Sequence, residues 1–317
     1  MNINEGLKIE SEQSRIERKF LLDEVPIEDI SEEIWYKGKE EVPRLLIAIA
    51  PCRTGTTAQL KVFSSIGIDS EYQPIKGIQR RTAYDGKTGP FIIPCEEKNK
   101  ILFIKETLGP YNRGECTYNP LRVLYNSGYD ERKITAIFEM RDPIDTYASW
   151  VTQFLPDTNS KYRAQMLDIF ILSYKQMEKY QKVADSLGIK RTSYIYESLK
   201  NNTSDIVYKE LFRTLGLEFS DNVTQNWPVG VVDPHIHFAQ EPDVYEPEHL
   251  HDEVKKATGL KYMGKSLDYI RGVITDEEIC KIKDSGINDI YKALVLENEQ
   301  EFNIMIDNVT KLDLIGV

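Results

Sequence analysis

The stretch from Arg44 to Phe63, RLLIAIAPCRTGTTAQLKVF, decides the fold of this 317-residue chain. Leu45 to Ala50 is a short apolar run, long enough for a buried strand. Small residues then break the run, and Ala58 to Ser65 predicts a helix. Because a helix leaves its first N–H groups unpaired, a strand, a tight turn and a helix start together form a cradle for an anion. The stretch therefore predicts an anion-binding loop in an α/β fold.

The residues of the turn support this interpretation. Gly55 lets the backbone approach an oxyanion closely, and Arg53 supplies a full positive charge. Thr56 and Thr57 add hydroxyl donors, and Thr54 completes the loop. The loop is not a Walker A motif, because threonine stands where that motif requires lysine after its last glycine. An ordinary strand-to-helix turn is the alternative, so the interpretation needs a second anion-binding feature.

The composition narrows the functional class. With 41% hydrophobic and 29% charged residues, the chain is long enough for a large α/β domain with a sizeable core. Its net charge of −11 argues against nonspecific nucleic-acid binding. No apolar run approaches the roughly 18 residues of a membrane span, so we expect neither nucleic acid nor membrane as a partner. The polar N-terminus is not a secretory signal and no CxxC pair is present, which favours a cytoplasmic protein with reduced cysteines and no zinc site.

Apolar runs and helical periodicities predict the rest of the fold. We expect residues 1–40 to form a polar leader and residues 41–317 a single domain, with an irregular lid or substrate region at 222–265. The predicted strands are Ile66–Tyr72, Ile101–Ile104, Ile134–Phe138 and Thr192–Tyr196, and the predicted helices are Pro143–Gln153, Lys161–Leu187, Asp205–Leu215 and Thr275–Leu296. Such alternation indicates an α/β fold with a central, mainly parallel sheet flanked by helices.

A second candidate anion site lies within the segment RDPIDTYAS, which runs from Arg141 to Ser149. A capping aspartate and a proline open a helix directly after Arg141, and Ser149 lies two turns into that helix. A phosphate there would meet a planar cationic fork and a hydroxyl group. In parallel sheets ligands bind beyond the carboxyl ends of the strands. Because Arg53, Lys105 and Arg141 each follow a predicted strand directly, we expect all three at one edge of the sheet.

Three motifs, in this order, resemble those of the PAPS-dependent sulfotransferases. The family's [KR]-[ST]-G-T-[ST] is matched by Arg53–Thr57, its R-[DN]-P-x-D-x-x-x-S by Arg141–Ser149, and its Y-E-[DS]-L by Tyr196–Leu199. The resemblance covers about residues 43–220 and, more loosely, the final helix. It implies a P-loop-containing, sulfotransferase-like fold. It also implies transfer of a sulfuryl group from PAPS to a hydroxyl or amine of a small-molecule acceptor, with release of 3′,5′-ADP and no metal.

The resemblance also implies roles for individual residues. The loop Arg53–Thr57 is similar to the family's cradle for the 5′-phosphosulfate. Arg141 and Ser149 resemble its 3′-phosphate clamp, and Tyr196 lies where the adenosine is contacted. A late segment that also binds the 3′-phosphate has no clean match here, and Lys256 is the nearest candidate.

The position of the general base departs from the family. Lys105 matches the lysine of the family's K-T-H segment, near the transferred sulfuryl group, but Thr107 replaces the histidine. Glu71 and Glu106 are the candidate bases, since partial burial can raise the pKa of a carboxyl group toward working pH. A structural salt bridge is the alternative for each. A further candidate is one of the histidines in the irregular region, which are His235, His237, His249 and His251.

The acceptor and the reaction class leave alternatives open. The negative net charge and an acidic stretch at 241–253 would suit a cationic acceptor, such as a saxitoxin-type guanidinium natural product, although the composition of the stretch favours a solvated loop. A nucleotide kinase of related architecture is one rival, for which Glu139 or Asp142 would have to hold magnesium. A protein that binds PAPS or 3′,5′-ADP without turnover is another. We expect a monomer or a homodimer.

Overall fold

The computed structural model describes residues 12–36, 42–86, 89–95, 100–155, 160–220, 223–230, 233–238, 245, 256–307 and 309–315. The strands are β1 Ile34–Tyr36, β2 Arg44–Pro51, β3 Asp69–Tyr72, β4 Phe91–Ile93, β5 Ile101–Leu108, β6 Ile134–Met140, β7 Lys190–Ile195 and β8 Ile236–Phe238. The first helices are α1 Glu12–Lys19, α2 Ile27–Glu32, α3 Thr56–Ser64, α4 Pro74–Asp85, α5 Gly114–Thr117, α6 Pro120–Asn126 and α7 Pro143–Phe154. They are followed by α8 Arg163–Leu187, α9 Ser198–Asn201, α10 Ser204–Leu215, α11 Leu267–Val273, α12 Asp276–Asp284, α13 Ile287–Phe302 and α14 Lys311–Leu314.

Six strands form a central sheet in the order β7-β6-β2-β5-β3-β8, and every neighbouring pair is parallel. β2 lies in the middle, where Ala48 pairs with Lys105 of β5 on one side and with Ile137 of β6 on the other. β1 and β4 form a separate two-stranded sheet. The central parallel sheet expected from the sequence is confirmed. Its middle strands are apolar runs because both of their faces are covered.

Helices cover both faces of this sheet. The alternate residues Leu45, Ile47 and Ile49 of β2 belong to a core that includes Phe170 and Tyr174 of α8. Leu46 and Ala48 face the other way, into a core that includes side chains of α3 and α10. This alternation follows from the two-residue period of a strand, and it leaves the carboxyl edge of the sheet as the place where polar side chains can gather.

Several elements differ from the sequence-based expectation, and three of the differences bear on the site or on the final helix. β5 extends through Leu108, well past the apolar run, because backbone pairing with β2 and β3 continues beyond Ile104. The final helix predicted over Thr275–Leu296 is two helices, α12 and α13, separated at Gly286, where φ is 77°. The capping box at Thr275 is present. β8 lies inside the stretch expected to be irregular, since a three-residue edge strand is too short to give a periodic pattern.

The described part of the expected polar leader is structured. Residues 12–36 contain α1, α2 and β1, and they bury Phe20, Ile30 and Ile34 in the main core. Acidic residues dominate the composition of this segment, so the few apolar residues that pack into the core do not stand out in the sequence. Its first eleven residues, and most of the acidic stretch at 241–253, lie outside the described residues. In the described part of the chain, no helix has the length and apolar character needed to cross a membrane.

Candidate functional site

The loop between β2 and α3 has the backbone of an anion cradle. Arg53 and Gly55 both have positive φ, at 71° and 109°, which turns the chain sharply before α3 begins at Thr56. No side chain caps the start of α3, so its first N–H groups face the cavity described below. The Thr54 hydroxyl is turned inward and donates to the Pro51 carbonyl at 3.0 Å. Thr54 therefore braces the loop, whereas Thr56 and Thr57 line the cavity.

The structure brings the two candidate anion sites together. Arg53 Nε donates a hydrogen bond to Ser149 Oγ at 3.0 Å. Arg141 Nη1 donates to the backbone carbonyl oxygen of Arg53 at 3.3 Å. Residues from two different strand-to-helix junctions therefore meet at one edge of the sheet, as the topology of β2 and β6 requires.

These residues line one cavity of about 690 Å³. Its wall is strongly basic although the chain carries a net charge of −11. The basic lining residues are Arg15, Lys19, Arg53, Lys105, Arg141, Lys256, Lys261 and Lys265. Among the described residues that line it there is no aspartate, glutamate or histidine. Such a wall attracts a ligand that carries several negative charges.

Arg141 has the environment of an anion-binding guanidinium. Its Nη2 donates to the Met263 carbonyl at 2.8 Å and lies 3.5 Å from the Asp145 carboxylate. Burial disfavours the charged form, but the neighbouring Asp145, Tyr196, Glu197 and Tyr262 together outweigh burial, and the pKa of Arg141 is raised above its ordinary value. Arg141 Nε is buried and has no hydrogen-bond partner among the described residues. An unpaired N–H on a permanent cation in a basic cavity fits an oxyanion acceptor.

Tyr196 connects the anion loop to the late basic segment. The guanidinium carbon of Arg141 lies 4.7 Å from the centre of the Tyr196 ring. The Tyr196 hydroxyl accepts a hydrogen bond from Met263 N at 2.9 Å. The ring also packs against Gly55, where an added Cβ would come within 2.9 Å of Cδ2. Tyr196 thus contacts Gly55 of the anion loop, Arg141 and Met263, and it fixes their relative positions in the cavity wall.

Residues 256–265 form one side of the cavity, and they include residues that the sequence did not single out. The segment is held by a bridge between Gln225 and Gly259 and by a hydrogen bond from Trp227 N to the Thr258 carbonyl at 3.0 Å. Lys256 lines the cavity as expected, and the lining residues missed from the sequence here are Lys261, Lys265 and Trp227. The repeated lysines and glycines of this segment are the signal that could have pointed to Lys261 and Lys265, whereas Trp227 lies outside the segment and has no such signal.

β5 presents alternate side chains to the cavity. Lys105 and Thr107 line it, and the Lys105 ammonium lies 3.7 Å from the centre of the Tyr72 ring. Lys105 lies within the strand and does not follow it, contrary to expectation, but its side chain still reaches the predicted edge. Cys52, which precedes the anion loop, donates from Sγ to Thr107 Oγ1 at 3.1 Å. In the motif alignment, Thr107 stands where the sulfotransferase family that the motifs resemble has a histidine, so this position carries a hydroxyl group here.

Glu106 points away from this cavity, because neighbouring residues of a strand face opposite sides. Its carboxyl group accepts hydrogen bonds from Ile75 N at 2.8 Å, from Lys76 N at 3.2 Å and from the Tyr118 hydroxyl at 2.8 Å. Burial raises the pKa of Glu106 to about 7 despite these bonds. Its position removes it from direct contact with an acceptor in the cavity and makes it an anchor between β5 and the start of α4.

Glu71 does not line the cavity either, although the neighbouring Tyr72 does. Burial raises the pKa of Glu71, while His237 acts in the opposite direction. The His235 ring nitrogen Nδ1 is 2.8 Å from Asp69 Oδ1, so this histidine belongs to the same cluster at the sheet edge. The structure therefore separates both candidate carboxylates from the anion loop. The other two histidines, at 249 and 251, lie outside the described residues.

Within the described residues, no group of three or more histidine, cysteine, aspartate or glutamate side chains is placed to hold a metal ion. Comparison with models of protein families and with curated proteins finds no match to this chain. Any functional assignment therefore rests on the geometry of the cavity and on the motifs that form it.

Proposed function

We propose that this protein is a PAPS-dependent sulfotransferase of the P-loop-containing type. It transfers a sulfuryl group from PAPS to a hydroxyl or amine of a small-molecule acceptor in the cytoplasm and releases 3′,5′-ADP. The acceptor oxygen or nitrogen forms a bond to sulfur, the bond from sulfur to the bridging phosphate oxygen breaks, and the acceptor loses a proton. The observation that carries the proposal is the meeting of Arg53, Ser149 and Arg141 in one basic cavity.

The size and lining of the cavity suit a nucleotide with two phosphate groups. A volume of about 690 Å³ lies within the usual range for sites that enclose a small molecule. Arg53 and the start of α3 would hold the 5′-phosphosulfate, and Arg141 with Ser149 would hold the 3′-phosphate. Trp227 and Tyr196 supply aromatic surfaces for the base and the ribose. The lysines at 256, 261 and 265 add positive charge around the nucleotide.

The proposed roles in catalysis are mainly electrostatic. Negative charge accumulates on the leaving bisphosphate as the bond to sulfur breaks, and Arg53 and the α3 N–H groups stabilise it, while Lys105 stabilises the charge on the sulfuryl group in transfer. These donors are fixed before the ligand binds, since Arg53 is held by Ser149 and Lys105 lies against the Tyr72 ring. The described cavity wall contains no carboxylate or imidazole, so we assign its residues to charge stabilisation and to orientation and not to proton removal.

Neither of the two carboxylates considered for the kinase alternative is free to bind magnesium in the cavity. Glu139 is fully buried and does not line the cavity, and burial raises the pKa of its carboxyl group well above the ordinary value. Asp142 caps α7 by accepting hydrogen bonds from Ile144 N at 2.9 Å and Asp145 N at 3.1 Å. Each of the two candidate magnesium ligands is therefore either engaged in the fold or shielded from the cavity.

Ligand-induced stabilisation tests the proposal. We expect 3′,5′-ADP without magnesium to raise the melting temperature more than ATP with magnesium does. PAPS-dependent sulfation of a mixed metabolite panel then separates an enzyme from a protein that only binds the nucleotide. Stabilisation by ATP and magnesium alone would support a kinase instead. Binding of 3′,5′-ADP without sulfation of any acceptor would support the silent binding protein.

A further inference from the structure

The cavity continues beyond the residues assigned to the nucleotide. α7 runs along one wall, and its 12 residues span about 18 Å. Arg141 precedes the start of this helix, Ser149 lies in its middle, and Gln153 and Phe154 form its last positions. Because the proposed phosphate groups lie against the first two of these residues, the end near Phe154 is left for the acceptor. This step rests on the proposed function.

Aromatic rings form that end of the cavity. Tyr111 lies with its ring centre 5.7 Å from that of Phe154 and 6.1 Å from that of Tyr245. All three rings line the cavity, together with Ile16 of α1. Tyr245 is fixed in place, since its hydroxyl donates to Glu115 Oε1 at 3.0 Å. A set of fixed rings favours an acceptor with a flat or apolar body.

Two cations of α1 extend this aromatic surface. Arg15 and Lys19 line the cavity and, at a spacing of four residues, they share one face of the helix. The Lys19 ammonium lies 4.8 Å from the Tyr111 ring centre and 5.0 Å from the Tyr245 ring centre. Contacts with ring faces hold the ammonium group in place at the wall of the cavity.

α1 is held firmly enough to define a binding surface. Asn112 Nδ2 donates to the Lys19 carbonyl at 3.1 Å, and Gln165 Nε2 donates to the Phe20 carbonyl at 2.8 Å. The Phe20 ring stacks on Tyr162 with centres 4.7 Å apart. The end of α1 is therefore attached to the body of the protein on two sides, which fixes the direction of the Lys19 side chain.

We propose that the α1 end of the cavity binds the acceptor and selects acceptors that carry an anionic group, such as a carboxylate, on a flat or apolar body. The hydroxyl or amine that is sulfated points toward Lys105, and the anionic group lies between Arg15 and Lys19. These wall charges favour an anionic acceptor over the cationic acceptor that the negative net charge suggests. Acceptor selection thus depends on the local charge of the cavity and not on the charge of the whole chain.

Matched acceptors test the proposal. The probes are phenol, primary alcohol and amine scaffolds, each carrying a carboxylate, an amide or an ammonium group at the far end. We expect PAPS-dependent sulfation to favour the carboxylate member of at least one scaffold by about tenfold in kcat/KM, as loss of one charge-assisted contact costs that much. Lys19→Met should remove this preference while the Kd for 3′,5′-ADP changes less than about twofold, because Lys19 lies beyond the nucleotide.

Two variants keep the test decisive. Lys182→Met makes the same charge change at a lysine that is 71% exposed, and it should alter nothing. Arg15→Gln provides a second cavity variant if Lys19→Met fails to fold. The proposal would be overturned if the wild type preferred the amide or ammonium members, or if a carboxylate preference survived in both cavity variants. It would also be overturned if the wild-type complex with 3′,5′-ADP bound no carboxylate member. Failure of the wild type to bind 3′,5′-ADP would instead defeat the proposed function.

Discussion

Gly55 packs so closely against Tyr196 that a Cβ atom on Gly55 would lie 2.9 Å from Tyr196 Cδ2. The contact joins the anion loop after β2 to the residue after β7, two strands away in the sheet. The guanidinium of Arg141 lies over the same ring, with its carbon 4.7 Å from the ring centre. Substitution at Gly55 should therefore disturb both anion sites together.

We expect Gly55→Ala to weaken 3′,5′-ADP binding by at least about tenfold, because a 1–2 kcal/mol backbone penalty at positive φ adds to the clash with Tyr196. Titration calorimetry measures the loss. Gly86→Ala is the matched control, since Gly86 also has positive φ, at 66°, but a Cβ there meets no described atom within 4 Å. Equal nucleotide affinity in the wild type and Gly55→Ala would show that the loop does not contact the nucleotide.

Removing the Arg53 side chain should affect turnover more than the fold. We expect Arg53→Ala to lower kcat for PAPS-dependent sulfation by about 10²–10³, the usual cost of one donor to a developing oxyanion. Steady-state kinetics with saturating acceptor measures this loss. Arg132→Ala serves as the control, because the Arg132 side chain is 83% exposed and does not line the cavity. A variant with unchanged kcat would exclude Arg53 from charge stabilisation.

Lys105 should act on the transferred group and not on the nucleotide product. Its ammonium lies over the Tyr72 ring, and its side chain lines the same cavity as the anion loop. We expect Lys105→Met to lower kcat by about 10²-fold while the Kd for 3′,5′-ADP, which lacks the sulfuryl group, changes less than about threefold. Steady-state kinetics of sulfation and calorimetric titration with 3′,5′-ADP, done on the same variant, measure the two effects. A large loss of 3′,5′-ADP affinity with unchanged kcat would assign Lys105 to nucleotide binding.

Glu106 should make folding stability depend on pH in an unusual direction. Its pKa is about 7 in the folded protein and near the ordinary 4.5 when unfolded, so the folded state holds the proton more strongly. At a pH between these two pKa values, unfolding releases a proton from Glu106. The free energy of unfolding therefore falls as pH rises from about 5 to about 7. The Glu106 contribution is on the order of 3 kcal/mol and is lost above pH 7.

Urea unfolding of the wild type and Glu106→Gln at pH 5.5 and pH 7.5 tests this linkage. We expect the variant to lose less stability between the two pH values than the wild type does, because glutamine cannot titrate. Part of the dependence should remain, since burial raises the pKa of Glu197 to about 7 as well. Identical pH dependence in the two proteins would contradict the assignment.

Local patterns predicted the parts of the site that lie at strand-to-helix junctions. The apolar run of β2 and the small residues after it define the anion loop, and the capped start of α7 defines the position of Arg141. These features are local, because strand, cap and turn preferences act over a few residues. The parallel sheet then follows from the alternation of elements, and it brings Arg53 and Arg141 to one edge without any long-range information from the sequence.

The parts that were missed depend on tertiary contacts. The apolar run that predicts β5 stops at Ile104, yet pairing with β3 continues to Lys105 and pairing with β2 carries the strand through Leu108. The alternation of a strand then turns the Glu106 side chain away from the cavity. α1 is amphipathic in an acidic segment, and only its packing through Phe20 shows that Lys19 reaches the cavity. Composition and periodicity do not show how far a side chain such as Lys19 extends. They also do not show which face of the sheet a side chain takes where a strand continues past its apolar run.

The most direct test of the central claim is a calorimetric comparison of 3′,5′-ADP with 5′-AMP, each titrated into the wild type and Arg141→Met. If one nucleotide spans both anion sites, the wild type should bind 3′,5′-ADP at least about tenfold more tightly than 5′-AMP, and the variant should lose that preference, because a charge-assisted contact to the 3′-phosphate contributes about that factor. Equal affinities in the wild type, or a preference for 3′,5′-ADP that persists in Arg141→Met, would contradict the account.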